Sequence, residues 1–221
     1  MMTEAEVERL FLLAAYSFEE ENDRRNEIHV SDLTNPCIRA VWYEKKRPLP
    51  PSPENALRML EGKLLHKVQV IPGSTMEMAV EFEGVKGRVD EYKDGVILEK
   101  KYVDFVPSTL AEVQRYYGHY IEQVGFYAFM LVSTGHEFKQ ALLHFAKRGE
   151  QNERGRYPFK TFDVTSLIDL DKVEAEFYNR KTVIAAALKR DEPPEVPANF
   201  SPNSYPCSYC KYVAICYSGV R

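Results

Sequence analysis

The chain has 221 residues, of which 44% are hydrophobic and 28% charged. That balance excludes a disordered or fibrous protein and suffices for one domain with an ordinary core. The net charge of −4 excludes a surface coated in positive charge, so any nucleic acid must be met by local basic patches. No apolar run reaches the length that spans a bilayer, and Glu4, Glu6 and Glu8 stand where a signal peptide would be basic. A cytoplasmic protein with no membrane partner is therefore expected.

In chain order, Val7, Leu10, Phe11, Ala14 and Phe18 give an apolar stripe that predicts a helix over 3–23. Residues 28–33 read as a short extended piece. Asn35-Pro36 reads as an N-cap followed by proline, opening a helix through Trp42. A basic, proline-rich loop over 45–53 precedes a helix over 54–70 that carries Gly62 and His66 on one face. Strands fill 76–105. Ser108 or Thr109 caps a long helix that ends near Thr134, with Gly135 as its stop. Strands over 138–146 and 159–164, a helix over 170–189, and a Pro193/Pro194/Pro197 break before a cysteine-rich tail complete the order. The pattern predicts an α/β core with helical additions. Lys45, Lys46 and Arg47, and the loop with Arg148, Arg154 and Arg156, read as solvated segments that could also touch a phosphate backbone. Trp42 reads as a packing residue.

The most informative segment is a hairpin. Asp94-Gly95 is a two-residue turn signal. Counting outward pairs Lys93 with Val96, Tyr92 with Ile97, Glu91 with Leu98, and Asp90 with Glu99. The last pair sets two carboxylates opposite each other, where they repel. A divalent cation between them would turn that repulsion into a site. Lys101, two residues beyond Glu99, falls on the same face. Asp90 and Glu99 are thus candidate ligands for Mg²⁺ or Mn²⁺, with the Lys100 carbonyl as a third oxygen. His66 would add an imidazole and tilt the site toward Mn²⁺. Lys101 would orient water or stabilise developing charge. On the long helix, Gln123 and Tyr127 share a face, and Tyr116 and Tyr120 extend the stripe. An amide and a row of phenols suit single-stranded nucleic acid, although for Tyr116 and Tyr120 core packing is the simpler reading. A buried Gln123 amide would need partners.

The chain has four cysteines. Cys207, Cys210 and Cys216 form Cys-x₂-Cys-x₅-Cys, and Cys37 lies near the start. The set reads as a metal-type site: an iron–sulfur cluster, a structural zinc, or two disulfides, the last disfavoured by the CxxC spacing and a reducing compartment. Either metal group would clip the tail to the N-terminal part.

Taken together, Gly62-x₃-His66, Gly87-Arg88-Val89-Asp90, Glu99-Lys100-Lys101 and Gln123-x₃-Tyr127, with the cysteine frame, resemble the RecB-type nucleases of the PD-(D/E)xK superfamily in their iron–sulfur form. A chain of this length without helicase motifs most resembles the CRISPR-associated exonucleases that form the fourth Cas family. The superfamily's proline-aspartate pair reads Val89-Asp90 here, as is common among RecB-like members. The resemblance implies a mixed central sheet flanked by helices, with the two ends of the chain joined by an iron–sulfur cluster. It implies one nuclease domain: an N-terminal part over 1–53 with Cys37, a core over 54–190 and a cluster-binding tail over 191–221. It implies a Mg²⁺/Mn²⁺-dependent exonuclease on single-stranded DNA or DNA ends, working beside CRISPR integrase proteins to trim spacer precursors. Asp90, Glu99 and Lys101 would be catalytic. His66, Asp90, Glu99 and the Lys100 carbonyl would hold the divalent cation. Cys37, Cys207, Cys210 and Cys216 would hold a [4Fe–4S] cluster, and Gln123, Tyr127 and Tyr120 would contact DNA. Two other readings remain: a RecB-like nuclease of recombination, repair or a mobile element, and a non-catalytic iron–sulfur binding module.

Overall fold

A computed structural model describes residues 27–148 and 158–218, together with Thr3, Glu6, Val7 and Leu10. Most of the helix expected over 3–23, including Phe11, Ala14 and Phe18, lies outside the described residues, as do Arg154 and Arg156. The described elements are β1 (Ile28–His29), α1 (Val30–Leu33), α2 (Ile38–Lys46), α3 (Pro53–His66), β2 (Thr75–Phe82), β3 (Val85–Lys93), β4 (Val96–Val103), α4 (Leu110–Ser133), β5 (Gln140–Lys147), β6 (Phe159–Asp163), α5 (Leu170–Leu188) and α6 (Val213–Tyr217).

The strands form a mixed sheet in the order β1-β3-β4-β5-β6, with β2 on the other side of β3. β1–β3 and β4–β5 run parallel, and β2–β3, β3–β4 and β5–β6 antiparallel. The β4–α4–β5 unit is a parallel crossover, which explains why the long helix lies between these strands in sequence. Thr109 starts α4 by accepting the Glu112 amide at 3.2 Å, and the Glu112 carboxylate reaches back to the Thr109 amide, a reciprocal cap. α4 and α5 pack on one another through Phe126, Phe129 and Phe177, with the Phe129 and Phe177 rings 5.1 Å apart.

Local differences from the sequence reading have local causes. Residues 28–33 are not continuously extended, because Asp32 accepts the His29 amide at 2.8 Å and folds Val30–Leu33 into a helical turn. Helix α2 begins at Ile38 rather than after Asn35, whose side chain instead accepts the Cys37 amide at 2.9 Å. Lys45 is not in a solvated loop. It lies on α2, buried, with its ammonium 2.7 Å from Asp32. Trp42 is packing, as expected: it is buried with Tyr43 and Tyr212 in a small second core. That core docks the tail on α2, with the Tyr43 and Tyr212 rings stacked at 5.1 Å and Tyr212 donating to Glu44 at 2.5 Å.

Helix α3 stops at His66 instead of running to residue 70. A buried ion pair takes over the chain there. Lys100 Nζ lies 3.0 Å from Glu91 Oε1, and both side chains are fully buried. Lys100 also donates to the carbonyls of His66 (3.1 Å) and Val68 (2.6 Å). Glu91 accepts the amides of Val70 (2.7 Å) and Ile71 (2.8 Å) and the Ser74 hydroxyl (2.8 Å). Backbone groups that another helical turn would have paired are paired by the two side chains instead. Burial works to raise the Glu91 pKa, but the Ile71 and Val70 amides, Ser74 and Lys100 outweigh it and hold the group below the ordinary carboxylate value.

Two predictions follow from this packing. Glu91→Gln leaves the Lys100 ammonium without its counter-charge, and a loss of about 3–5 kcal/mol is expected in denaturant unfolding. Adding Lys100→Met should recover part of that loss. Gly87→Ala sets a Cβ 2.7 Å from the Tyr127 ring and 3.0 Å from Val30. A cost of about 1–3 kcal/mol is expected, with a shifted near-ultraviolet tyrosine signal as Tyr127 moves.

Candidate active site

The hairpin around Asp94-Gly95 forms as the sequence predicts, with positive φ at both turn residues (48° and 89°). The pairs Lys93–Val96, Tyr92–Ile97 and Glu91–Leu98 are all present. The next pair is not. The ladder ends at Glu91–Leu98, and Asp90 and Glu99 are not paired across it. Asp90 Oδ2 instead accepts the Lys100 amide at 2.6 Å, so a side chain takes an N–H that a continued ladder could have used. β1 joins β3 only at Val85 and Lys86. Among the described residues, therefore, β3 has a stretch between Lys86 and Glu91 free of strand partners on the side away from β2.

That opening is the floor of a cleft of about 910 Å³, lined among others by His66, Glu77, Arg88, Asp90, Glu99, Lys101, Gln123 and Tyr127. Strand alternation explains the sorting: Asp90 and Lys101 serve the cleft, while their neighbours Glu91 and Lys100 form the buried pair. Lys101 Nζ donates to Glu99 Oε1 at 2.6 Å and to Gln123 Oε1 at 2.9 Å, and sits 4.5 Å from the centre of the Tyr120 ring. Gln123 Nε2 donates to the Tyr127 hydroxyl at 3.0 Å. The Gln123 amide thus has the partners its burial requires. Tyr120 belongs to the site and also stacks on Tyr117 at 5.6 Å, whereas Tyr116 is half exposed and packs edge-on against Phe105.

His66 Nδ1 lies 2.6 Å from Asp90 Oδ1 and 3.5 Å from Glu77 Oε1. Burial pulls its pKa down, but hydrogen bonds to Asp90 and Glu77 outweigh that and raise it to about 9. Burial, reinforced by the Asp90 charge and opposed by Lys101, lifts Glu99 to about 7. Burial also works against the Lys101 ammonium, but the Glu99 and Asp90 charges keep its pKa above the ordinary lysine value. Lys101 therefore stays protonated and acts as a donor, not as a ligand.

The residues fit a hard divalent cation. Ligand atoms of His66, Glu77 and Asp90 all lie within 4.8 Å of one another. Glu99 Oε2 is buried and has no hydrogen-bond partner, which is costly for a carboxylate oxygen unless something fills its place. The imidazolium of His66 puts one positive charge between two carboxylates, where a divalent ion would put two.

Glu77 and Arg88 were not legible as site residues from the 94–95 turn alone. A second turn at Glu83-Gly84, with φ of 53° and 74°, fixes the β2–β3 register. Counting out from it places Glu77 opposite Asp90, between the pairs Met76–Glu91 and Met78–Val89.

The four cysteines are gathered at the N-terminal end of α2. Cys37, Cys207, Cys210 and Cys216 line one cavity of about 230 Å³. Among the described residues their sulfurs do not form a set within 4.8 Å of one another. Burial raises the Cys37 and Cys210 thiols, and each is raised further by neighbouring cysteines. Arg39 Nε donates to Cys216 Sγ at 3.3 Å. Of the basic candidates elsewhere, Arg148 is engaged by the Tyr102 carbonyl (2.9 Å) and Asp104 (3.3 Å).

No curated protein matches the chain. Among solved structures, SSO0001 superposes over 97% of this chain and 98% of its own, with a TM-score of 0.55 at 15% identity, a likeness of fold. A phage-related exonuclease from Haemophilus somnus 129PT gives 0.43 at 12% identity over 66% of this chain and 77% of its own. An alkaline exonuclease from Laribacter hongkongensis gives 0.38 at 12% identity over 80% and 94%. The family model described as the PD-(D/E)XK nuclease superfamily matches residues 8–217, nearly the whole chain, and the chain therefore belongs to that superfamily.

Proposed function

We propose that the protein is a Mg²⁺- or Mn²⁺-dependent exonuclease on single-stranded DNA or DNA ends that trims spacer precursors in CRISPR adaptation beside the integrase proteins, and that its cysteines hold a structural [4Fe–4S] cluster. The observation that carries the nuclease reading is the meeting of Asp90, Glu99 and Lys101 at the opened hairpin, with Glu99 Oε2 buried and unpartnered. His66, Asp90, Glu99 and the Lys100 carbonyl would hold the divalent cation. Bound there, it supplies neutralising charge for the phosphate and a more acidic water.

The chain's own residues do the rest. Phosphodiester hydrolysis adds water across a P–O bond, so the site must place a water, offset charge on the phosphate oxygens and return a proton to the leaving oxygen. Lys101 is held by Glu99 and Gln123 and remains a donor, suited to the water or to a phosphate oxygen. Gln123 and Tyr127 fix Lys101 and cover the unladdered stretch of β3, and Tyr120 offers a ring beside the ammonium. Lys63, Lys67, Lys86 and Arg88 line the cleft beside its carboxylates and could meet the phosphate backbone of a bound strand.

The CRISPR assignment rests on the motif order together with the cysteine frame. The cluster reading is supported by the shared cavity of the four cysteines. In this reading residues 54–190 form the catalytic core, and the cluster ties the tail (191–221) to the N-terminal part (1–53).

The test of the nuclease reading is digestion of single-stranded DNA labelled separately at each end, with Mn²⁺, Mg²⁺ or EDTA. Metal-dependent degradation is expected in the wild type, and none in Asp90→Ala or Lys101→Ala proteins with native circular dichroism. Full cleavage by folded Asp90→Ala protein would overturn the site. For the cysteines, protein purified without oxygen should be brown with bound iron and sulfide, and Cys210→Ser should lose the colour and melt at lower temperature. Colourless wild-type protein carrying stoichiometric zinc would contradict the cluster.

A further inference from the structure

Glu77 takes no part in the reading above, which uses His66, Asp90, Glu99 and Lys100. We propose that Glu77 is a further ligand of the divalent cation, completing a carboxylate set with Asp90 and Glu99; the proposal rests on the metal-centre reading of the same cleft.

Three observations carry it. Glu77 is one of the three residues whose ligand atoms lie within 4.8 Å of one another, with His66 and Asp90. Glu99, 1% exposed, has an unpartnered Oε2 and lines the same cleft, so a buried carboxylate oxygen without a partner faces the space beside these three residues. Glu77 also stands in the middle of a strand at φ 51°, a left-handed backbone that a glutamate rarely adopts. It is opposite Asp90 but outside the β2–β3 ladder, between intact pairs on either side. Structural need does not explain the departure, since the ladder resumes in register. Bringing a carboxylate to the cation does.

The competing role is structural. Arg88 Nη1 donates to Glu77 Oε2 at 3.2 Å, and His66 Nδ1 lies 3.5 Å from Glu77 Oε1. Glu77 could serve only to hold Arg88, or only to orient His66. With the cation bound, a liganding Glu77 would turn its charge from these cations to the metal. The number of anionic ligands is a main control on affinity for hard divalent ions. An added carboxylate here would make the centre bind Mn²⁺ more tightly than Asp90, Glu99 and His66 alone.

The experiment is titration of the full chain with Mn²⁺ and no DNA, following free Mn²⁺ by electron paramagnetic resonance, with thermal melting of each variant alongside. Glu77→Gln is expected to weaken Mn²⁺ binding at least about tenfold without lowering the melting temperature. Glu77→Asn suits the left-handed backbone, so it should fold at least as stably as wild type, and it decides the matter if the glutamine variant does not fold. Asp90→Ala is the control for the metal centre. If it keeps wild-type affinity, the metal-centre reading fails; if it loses affinity while both Glu77 variants keep it, only the Glu77 proposal fails. Arg88→Ala should leave Mn²⁺ binding unchanged or tighter, and an equal loss in Arg88→Ala and Glu77→Gln would overturn the ligand role in favour of holding Arg88. The loss from Glu77→Gln should persist in a His66→Ala background. Its disappearance there would reduce Glu77 to a residue that orients His66.

Discussion

The site depends on one buried ion pair that touches no substrate. Lys100 and Glu91 are fully buried, and between them they engage carbonyls at His66 and Val68 and amides at Val70 and Ile71. That anchors the end of α3 to β3 and β4 at the residue that brings the imidazole. A pair so placed adds little net stability over well-packed apolar residues, because desolvating two charges is costly. Its value is positional. It binds two β-strands and a helix terminus with directional bonds, which an apolar contact would leave free to slide. Because a strand alternates, the same dipeptides supply both layers: Asp90 and Lys101 face the cleft, and Glu91 and Lys100 build the anchor behind it.

The second constraint is that the hairpin must come apart where it begins. A continued ladder would set Asp90 and Glu99 opposite each other as like charges and pair the backbone around them. Asp90 takes the Lys100 amide instead, and β1 takes the far end of β3. The Lys100 N–H thus finds a side-chain partner while the two carboxylates stay beside an open space. Gly87 permits this, because any side chain there would meet the Tyr127 ring. A glycine conserves the close approach of α4, and α4 in turn brings Gln123 to Lys101.

Much of this was legible in the residues. Asp94-Gly95 fixed the hairpin register up to Glu91–Leu98, and alternation placed Lys101 with Glu99. The Gln123–Tyr127 spacing anticipated a shared face, and the two side chains are hydrogen-bonded. Other features were not legible. The loss of the Asp90–Glu99 pair depends on a bond from a carboxylate to an amide on the neighbouring strand, which no side-chain pattern encodes. The Glu91–Lys100 pair looks like any charge on a solvated strand. Its only signal is opposite charge at diagonal positions of the hairpin, since Lys100 is two residues beyond Glu91's partner Leu98. Helix α3 was read past His66 for the same reason, because its stop is made by those two side chains rather than by a glycine or proline.

The cysteine cavity and the cleft share no lining residue. Tyr205, in the tail just ahead of Cys207, is close enough for Tyr120 and Glu122 to add to the rise that burial causes in its phenol pKa. Tyr120 is the ring beneath Lys101. The tail is otherwise fastened by the Tyr43–Tyr212 stack, by Tyr212 and Lys211 on Glu44, and by Lys211 on the Leu49 carbonyl. These contacts bury few side chains, so a group bonded by all four cysteines would be the strongest tie between tail and α2. Its effect would fall on the docking of the tail on α2, since no cysteine lines the cleft.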